Sequence, residues 1–480
     1  MVKREAVLFS IMDLTDSINL LKYVNEFKKN FEIVYVTFSN SSILSKKAAE
    51  LDIHPICLPP LLGYKKTGNK ESIFEKMQAI ERQIGIPIQK IIFGDREFHR
   101  EYKKNELSSL SWFVHIWNKY EQLIEENDVN IHFCFGEDRL QSLIPYYILK
   151  NINGKSYLVR IVPYYGITFT NDYFGKFTFE GNCQWDEVNF EDYKARIKEN
   201  KVYFNSEVLN KVDYKRYASL PRLLRRIYEI EKINWEDRKN IYKNHNIHLI
   251  NTFITKPMTH GIKRMFAKIM VYGQIKEDQR YIYFPFHFTD DAQVRLKYPE
   301  GYNQYELIRN ISRNLPIGFK LLVKEHPAYS GNYSLMELHD LAKFPNITVI
   351  NPEISSKDIF NYSEYVITIN STVGYEALFY DKIVITMGES FYDSFPGVIN
   401  IKDVNELYGL LTDEEFLKGK KDEIKENLGE RTIRLLKSSL RYDYYNFYSD
   451  ENIMKMKDLL LHHIKYQENN AFPGKPLQLH

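Results

Sequence analysis

The chain has 480 residues, which is enough for two or three domains that each bury a core of their own. Its 44% hydrophobic and 27% charged residues exclude an intrinsically disordered chain, and its net charge of +2 excludes a global attraction to nucleic acid. Its three cysteines, Cys57, Cys134 and Cys183, lie far apart and lack the spacing of a structural zinc site or a disulfide framework.

The amino-terminal segment has an apolar run, AVLFSIM, that stops before Asp13. This run is too short for a signal peptide or a membrane-spanning helix. We therefore expect a cytoplasmic protein, which can still act at the inner face of the cytoplasmic membrane.

Strand-like and helix-like segments alternate through the first third of the chain. The strands are predicted at Ala6–Met12, Phe31–Phe38, the run IHPICL and Val129–Phe135. The helices are predicted at Ser17–Asn30, the run SILSKKAAEL, Leu110–Asn127 and Leu140–Asn151. Alternation of this kind predicts a parallel, doubly wound sheet.

The segment at about residues 186–246 is charged and helical in pattern, and YKRYASLPRLLRRIYEIEKI is its most basic part. Two interpretations stay open: solvated helices on a domain edge, or a peripheral contact with a membrane surface or an anionic polymer. Residues 251–280 are then predicted to be a linker.

A second alternating block begins at Tyr281. Its predicted strands are Tyr281–Phe288, the run FKLLVKEHP, Ile347–Asn351, Tyr365–Asn370 and Ile383–Gly388. The predicted domains are residues 1–250 with the helical insertion, the linker, residues 281–430, and carboxyl-terminal helices with a tail at 431–480. Neither block carries GxGxxG or a P-loop, so we expect no dinucleotide cofactor.

This arrangement is similar to the GT-B plan of glycosyltransferases: an α/β chain with two Rossmann-like doubly wound domains facing a cleft, followed by carboxyl-terminal helices. Ligands of such open sheets bind at the carboxyl ends of the strands. The cleft-facing strand ends are therefore where binding residues are expected.

Lys324, Glu325, His326 and Pro327 follow one strand of the second block. Pro327 stops the ladder and favours an extended His326, whose imidazole can hydrogen-bond a phosphate oxygen. The alternative is a strand-end histidine that bonds to a neighbouring carbonyl group.

The run ITINSTVGYEAL ends another strand of the second block, at Asn370. Ser371 and Thr372 can cap a helix whose free N–H groups suit an anion, and Gly374 allows close backbone approach. Glu376 is placed to accept hydrogen bonds from a ribose or to help with the cap. The alternative is an ordinary capped helix, but two such strand ends in one domain favour phosphate binding.

Residues 281–393, and above all KEHP and NSTVGYEAL, resemble the capsule polysaccharide biosynthesis family, which includes the Kdo transferases of bacterial capsules. An HP dipeptide and a serine/threonine pair also mark bacterial sialyltransferases. The resemblance implies a CMP-activated ulosonic acid as donor, with His326, Ser371 and Thr372 at its phosphate and Glu376 at the ribose or cytosine. It also implies that His287, Lys324, Pro327, Asn370 and Gly374 belong to the donor site.

The first block is expected to supply the acceptor site and the catalytic carboxylate. Glu137 and Asp138, in FCFGEDRL, resemble the Gly-acidic-x-Arg stretch of the family, although Asp138 and Arg139 can also be a structural pair. Further on, Tyr164 and Tyr165 stand before Gly166 where relatives carry an acidic residue. Three aspartates therefore stay open as alternatives: Asp172, Asp13 and Asp16.

The sequence thus predicts a glycosyltransferase that moves a Kdo-, sialic- or pseudaminic-type acid from CMP to a glycan or glycolipid acceptor in capsule or lipopolysaccharide synthesis. No metal is expected, because the one phosphate of CMP needs less charge neutralisation than a diphosphate. Two alternatives stay open: a nucleotide-diphosphate-sugar or CDP-polyol transferase of the same fold, and a non-catalytic glycan-binding subunit of a capsule assembly complex.

Overall fold

A computed structural model describes residues 5–11, 14–38, 41–135, 139–170, 188–199, 256–289, 291–298, 303–441 and 448–469. These residues form two compact units. The first unit is Met1–Ile88 with Arg100–Tyr193 and Glu430–His480, and the second is Gln89–His99 with Lys194–Gly429.

The strands are β1 Ala6–Ile11, β2 Glu32–Thr37, β3 Ile56–Cys57, β4 Val129–Cys134, β5 Lys155–Val162, β6 Gly166–Thr170, β7 Arg280–Pro285, β8 Phe319–Lys324, β9 Ile347–Ile350, β10 Ser363–Thr368, β11 Ile383–Thr386, β12 Val398–Asn400 and β13 Leu440–Arg441. The helices before residue 200 are Leu14–Phe27, Ser42–Glu50, Lys70–Ile84, Ile88–Gly94, Arg96–Lys104, Glu106–Glu126, Leu140–Asn151 and Phe190–Glu199. The later helices are Lys256–Met270, Ala292–Arg295, Gln304–Arg313, Leu335–Ala342, Ser356–Tyr362, Thr372–Leu378, Glu406–Thr412, Glu414–Lys437 and Asp450–Asn469, with a 3₁₀ turn at Pro327–Tyr329.

The first unit is built on a sheet in which the described strands have the order β13-β6-β5-β4-β1-β2-β3. The strands β1 to β5 pair in parallel, and β6 and β13 add antiparallel pairs at one edge. Residues of the carboxyl-terminal helix, among them Met456 and Leu460, share one buried core with Phe9, Leu20 and Phe133. The end of the chain therefore completes the first unit.

The second unit carries a parallel sheet in which the described strands have the order β12-β11-β10-β7-β8-β9. Numbered within this unit, the strand order is 3-2-1-4-5-6, which is that of the Rossmann fold. The topological switch point of this fold lies between the first and fourth strands. Those strands are β7 and β10. Their central residues, Tyr281–Phe284 and Tyr365–Ile367, are apolar and buried, as expected of a sheet covered by helices on both faces.

Both units confirm the predicted α/β class and its Rossmann-like parallel sheets. The segment predicted as a linker, residues 251–280, contains the helix Lys256–Met270, which packs against the helix Leu335–Ala342 of the second unit. The predicted domain boundaries stay a prediction. Within the described part of the chain, no helix is both long and apolar enough to cross a membrane.

Candidate functional site at the strand ends of the second unit

Three neighbouring strands of the second unit end beside one another. β7 lies between β8 and β10 in the sheet, and all three run in parallel, so their carboxyl ends lie at the same edge. His287 follows β7, Lys324 ends β8 just before His326, and Ser371 follows β10. The sheet therefore gathers the predicted donor-site residues around its switch point, where open α/β sheets bind ligands.

His287 is held firmly at the end of β7. Its backbone N–H donates to Gln304 Oε1 at 2.8 Å, and its carbonyl oxygen accepts from Tyr333 Oη at 2.9 Å and from Gln304 Nε2 at 3.1 Å. Burial, helped by the nearby His326, lowers the pKa of His287 to about 3. The imidazole is therefore neutral at physiological pH.

Thr368, the last residue of β10, connects the two strands at the switch point. Its Oγ1 lies 3.3 Å from His287 Nε2 and accepts the backbone N–H of Ser371 at 3.1 Å. One hydroxyl group thus joins the imidazole after β7 to the first residue after β10. The sequence did not single out Thr368, because inside ITINST it reads as an ordinary buried strand residue.

The side chains at the end of β8 alternate between two faces, as strand geometry requires. Lys324 is buried and donates to Ile354 O and Ser356 Oγ, both at 2.9 Å. Burial lowers the pKa of Lys324 to about 8, although the carboxylates of Glu376 and Asp358 act in the opposite direction. The ammonium group of Lys324 is therefore already hydrogen-bonded within the protein.

His326 lies on the side of Phe288, and the two ring centroids are 4.4 Å apart. Its backbone N–H donates to Tyr333 Oη at 3.4 Å, so Tyr333 connects His326 with the carbonyl oxygen of His287. Burial, helped by the positive charge of Lys324, lowers the pKa of His326 to about 4. Pro327 ends the extended segment and begins a 3₁₀ turn.

Ser371 caps the helix Thr372–Leu378 as predicted, and its Oγ accepts the backbone N–H of Val373 at 3.2 Å. Thr372 is exposed, and the carbonyl oxygen of Ser371 accepts from Tyr392 Oη at 2.5 Å. At this strand end, hydrogen bonds thus fix the start of the helix, and Thr372 beside it is accessible.

Gly374 has a packing role in the structure. A Cβ at this position would lie 2.5 Å from Tyr392 Oη and 3.0 Å from side-chain carbons of Thr368 and Val384. A glycine is therefore needed for Tyr392 to reach Ser371. The predicted contact of Gly374 with a ligand stays a prediction.

The remaining predicted donor residues, Asn370 and Glu376, lie close to this helix start in the chain. Asn370 is mostly buried and donates through Nδ2 to Glu389 O at 3.2 Å. Glu376 is half-buried one turn after Thr372, and its charge raises the pKa of Lys357, against the larger effect of burial. The predicted role of Asn370 and Glu376 in binding a nucleotide stays a prediction.

The predicted catalytic carboxylates Glu137, Asp138 and Asp172 lie outside the described residues, as does Asp13. Asp16 lies in the first turn of the helix Leu14–Phe27. Of the strands that precede these candidates, β1 and β4 are the first and fourth of the first sheet and pair with each other. Residues 13 and 137 therefore follow closely, in the chain, the two strands that flank the switch point of the first sheet.

Residues 190–406 match the family model described as capsule polysaccharide biosynthesis protein. Over this region, a little under half of the chain, the sequence is similar to the capsule polysaccharide biosynthesis family. The match includes the second sheet from β7 to β12 and thus every residue of the candidate site. It confirms the resemblance that KEHP and NSTVGYEAL predict.

One curated relative is Protein FixF of Sinorhizobium fredii, which is 33% identical over 134 residues. The match covers 27% of this chain and 32% of FixF, so the chain spans about a third of that protein. This partial match therefore does not establish the activity, the substrates or the partners of the chain.

Several solved structures are similar at low identity. The beta Kdo 2,7 transferase of Thermosulfurimonas dismutans KpsC is 15% identical, with 60% of this chain and 78% of that chain covered and a TM-score of 0.30. A glycosyltransferase from Rickettsia africae is 12% identical, with 97% and 99% covered and a TM-score of 0.27. At such scores these likenesses carry no argument about chemistry.

Proposed function

We propose that the chain is a glycosyltransferase that moves an ulosonic acid of Kdo, sialic or pseudaminic type from CMP to a glycan or glycolipid acceptor. The product belongs to capsule or lipopolysaccharide synthesis, and the reaction needs no cofactor and no divalent metal. The family match over the second unit supports the pathway, and the strand ends of that unit support the nucleotide. The proposed place of action is the cytoplasm, at the inner face of the cytoplasmic membrane.

The link that Thr368 makes between His287 and Ser371 is the observation that carries the proposal. It joins the two strands of the switch point by hydrogen bonds of 3.3 and 3.1 Å, so the groups around it are held ready before a ligand arrives. Preorganised donors at such a site stabilise charge without a cost of reordering.

The CMP phosphate is proposed to lie between His326 and the helix start at Ser371 and Thr372. A neutral imidazole donates one N–H to a phosphate oxygen, and the hydroxyl group of Thr372 can donate another hydrogen bond. The helix has only seven residues, so its dipole is a smaller contribution than these direct donors.

The chemical step forms a bond between an acceptor hydroxyl oxygen and the anomeric carbon of the ulosonic acid. The bond between that carbon and the phosphate oxygen breaks, and CMP leaves with the bonding electrons. The acceptor proton passes to a carboxylate, for which Glu137 is proposed, with Asp138, Asp172, Asp13 and Asp16 as alternatives. Such proton transfer is general base catalysis.

Incubation of the protein with CMP-Kdo, CMP-sialic acid and CMP-pseudaminic acid tests the function, with CMP release as the readout. We expect slow release from one of these donors without acceptor, and the same rate in EDTA. Release only from UDP-sugars or CDP-polyols, or a need for Mg²⁺ or Mn²⁺, would favour the alternative transferases. Binding of glycan without hydrolysis of any donor would favour a non-catalytic subunit.

A further inference from the structure

Glu325 is a buried carboxylate that the proposed reaction does not use. It lies between Lys324 and His326 in the chain, but its side chain points to the opposite face of the strand end. Only 2% of the residue is exposed. A buried carboxylate is unfavourable unless it is hydrogen-bonded, so the hydrogen-bond partners of Glu325 indicate its role.

The partners of Glu325 come from two separate segments. Glu325 Oε2 accepts from Tyr272 Oη at 2.5 Å and from Ser330 Oγ at 3.4 Å, and the carboxylate also accepts the backbone N–H of Gly331. Tyr272 follows the helix Lys256–Met270, whereas Ser330 and Gly331 close the loop that begins at His326. One carboxylate thus holds that loop against the segment before β7.

The same turn of the loop is fixed from a second direction. Arg264 Nη2 donates to the carbonyl oxygen of Ser330 at 3.0 Å. Burial raises the pKa of Glu325, and its hydrogen bonds and the charge of Arg264 act in the opposite direction. Gly331 has a φ of +86°, and a Cβ there would lie 2.8 Å from His260 Cβ. The helix Lys256–Met270 therefore approaches the loop backbone closely at this point.

The far side of the loop carries the residues of the candidate site. His326 packs on Phe288, and Tyr329 packs on the same ring at a centroid distance of 4.9 Å. Tyr333, at the end of the loop, donates to His287 O. Displacement of the loop at Ser330 and Gly331 would therefore also displace His326 and the support of His287.

We propose that Glu325 is a positioning residue for nucleotide binding. Its hydrogen bonds with Tyr272, Ser330 and Gly331 keep the loop 326–331 closed, so that the His326 imidazole stays directed at the donor phosphate. This inference rests on the proposed function for the identity of the ligand, but the control of the loop by Glu325 is independent of it.

The test is calorimetric titration with CMP of wild type and of four variants: Glu325→Ala, Glu325→Gln, Tyr272→Phe, and the double variant of Glu325→Ala with Tyr272→Phe. We expect Glu325→Ala to weaken CMP binding about tenfold or more, the scale of a lost hydrogen bond to a charged group. Glu325→Gln keeps a carbonyl oxygen for the same donors and should lie within about threefold of wild type. The double variant of Glu325→Ala and Tyr272→Phe should bind no more weakly than Glu325→Ala, because both changes remove the same bond.

Hydrogen exchange of the same proteins without nucleotide separates positioning from general stability. In Glu325→Ala, exchange should become faster over residues 326–334 and stay unchanged over residues 363–378. Glu353→Ala, which removes an exposed carboxylate of the same unit, is the control and should change neither range. If Glu325→Ala does not fold, Tyr272→Phe answers the same question, because it removes one half of the pair.

Wild-type affinity for CMP in Glu325→Ala, or equal losses in Glu325→Ala and Glu325→Gln, would overturn the positioning role. If wild type itself does not bind CMP, the proposed function fails and hydrogen exchange alone decides. Unchanged exchange over residues 326–334 in Glu325→Ala would then overturn the inference, and a local increase would support it.

Discussion

Thr368 Oγ1 lies 3.3 Å from His287 Nε2 and is also the acceptor for the backbone N–H of Ser371. Thr368→Val keeps the shape of the side chain but removes the hydroxyl from both contacts. We expect CMP binding to weaken by about 0.5–1.5 kcal/mol, the usual net contribution of a hydrogen bond. Thr348→Val, at a half-buried threonine of β9, is the matched control. Equal affinities for the two variants, measured by calorimetry, would contradict the role of Thr368.

Gly374 and Gly409 form a matched pair of helical glycines. An alanine Cβ at 374 would meet Tyr392 Oη at 2.5 Å, whereas nothing lies within 4 Å of one at 409. Gly374→Ala should lower the free energy of unfolding by about 1–3 kcal/mol, the usual cost of overpacking. Gly409→Ala should be neutral or raise it by up to about 1 kcal/mol, because alanine favours helices. Thermal unfolding compares them, and equal stability of the two variants would exclude a packing role for Gly374.

Buried histidines make the stability of the protein depend on pH. Burial lowers the pKa of His132 to about 3, so the folded state stays unprotonated where the unfolded chain, with a pKa near 6.5, takes up a proton. The unfolded state then binds more protons, so the free energy of unfolding falls as the pH decreases from about 6.5 to about 3. His132 alone contributes up to a few kcal/mol to this loss.

His132→Gln should therefore lose less stability than wild type between neutral pH and pH 4. Its side chain can still hydrogen-bond Ser10 and Ser156, which lie 3.4 and 3.5 Å from the imidazole. His54→Gln, at an exposed position, is the control. Melting temperatures over this pH range measure the effect, and parallel curves for wild type and His132→Gln would contradict it.

Glu137 is the proposed general base. Glu137→Gln should leave CMP affinity and melting temperature unchanged and should lower turnover by about a hundredfold or more, the scale for loss of an acid–base group. Asp138→Asn should lower turnover less, because a helix cap or a pair with Arg139 explains that residue equally well. Turnover near the wild-type rate in Glu137→Gln would direct attention to Asp172, Asp13 or Asp16.

Much of the fold can be predicted from the sequence, because parallel strands buried on both faces are continuous apolar runs. The predicted strand Tyr365–Asn370 corresponds to β10, Ser363–Thr368, and Ile383–Gly388 corresponds to β11, Ile383–Thr386. The antiparallel edge of the first sheet was not predicted. Part of it is the hairpin of β5 and β6, and its outer pair joins β6 to β13, two segments far apart in the chain, which no local pattern records.

The candidate site could be predicted only in part. Its strand-end residues carry local signals, such as the proline after His326 and the cap at Ser371. The residues that hold them in place carry no such local signal. Tyr272 contacts Glu325, 53 positions away in the chain, and Thr368 contacts His287, 81 positions away. Such contacts are decided by strand order, which becomes visible only when the sheet is assembled.

Calorimetric titration of CMP into wild type and His326→Ala tests whether His326 binds the phosphate of the donor nucleotide, with His339→Ala as a control on a nearby helix. We predict that wild type and His339→Ala bind CMP with equal affinity. His326→Ala should bind CMP more weakly by about 1.5–3 kcal/mol, the cost of a lost hydrogen bond to a charged phosphate. Unchanged CMP affinity in His326→Ala, or no binding of CMP to wild type, would contradict this role of His326.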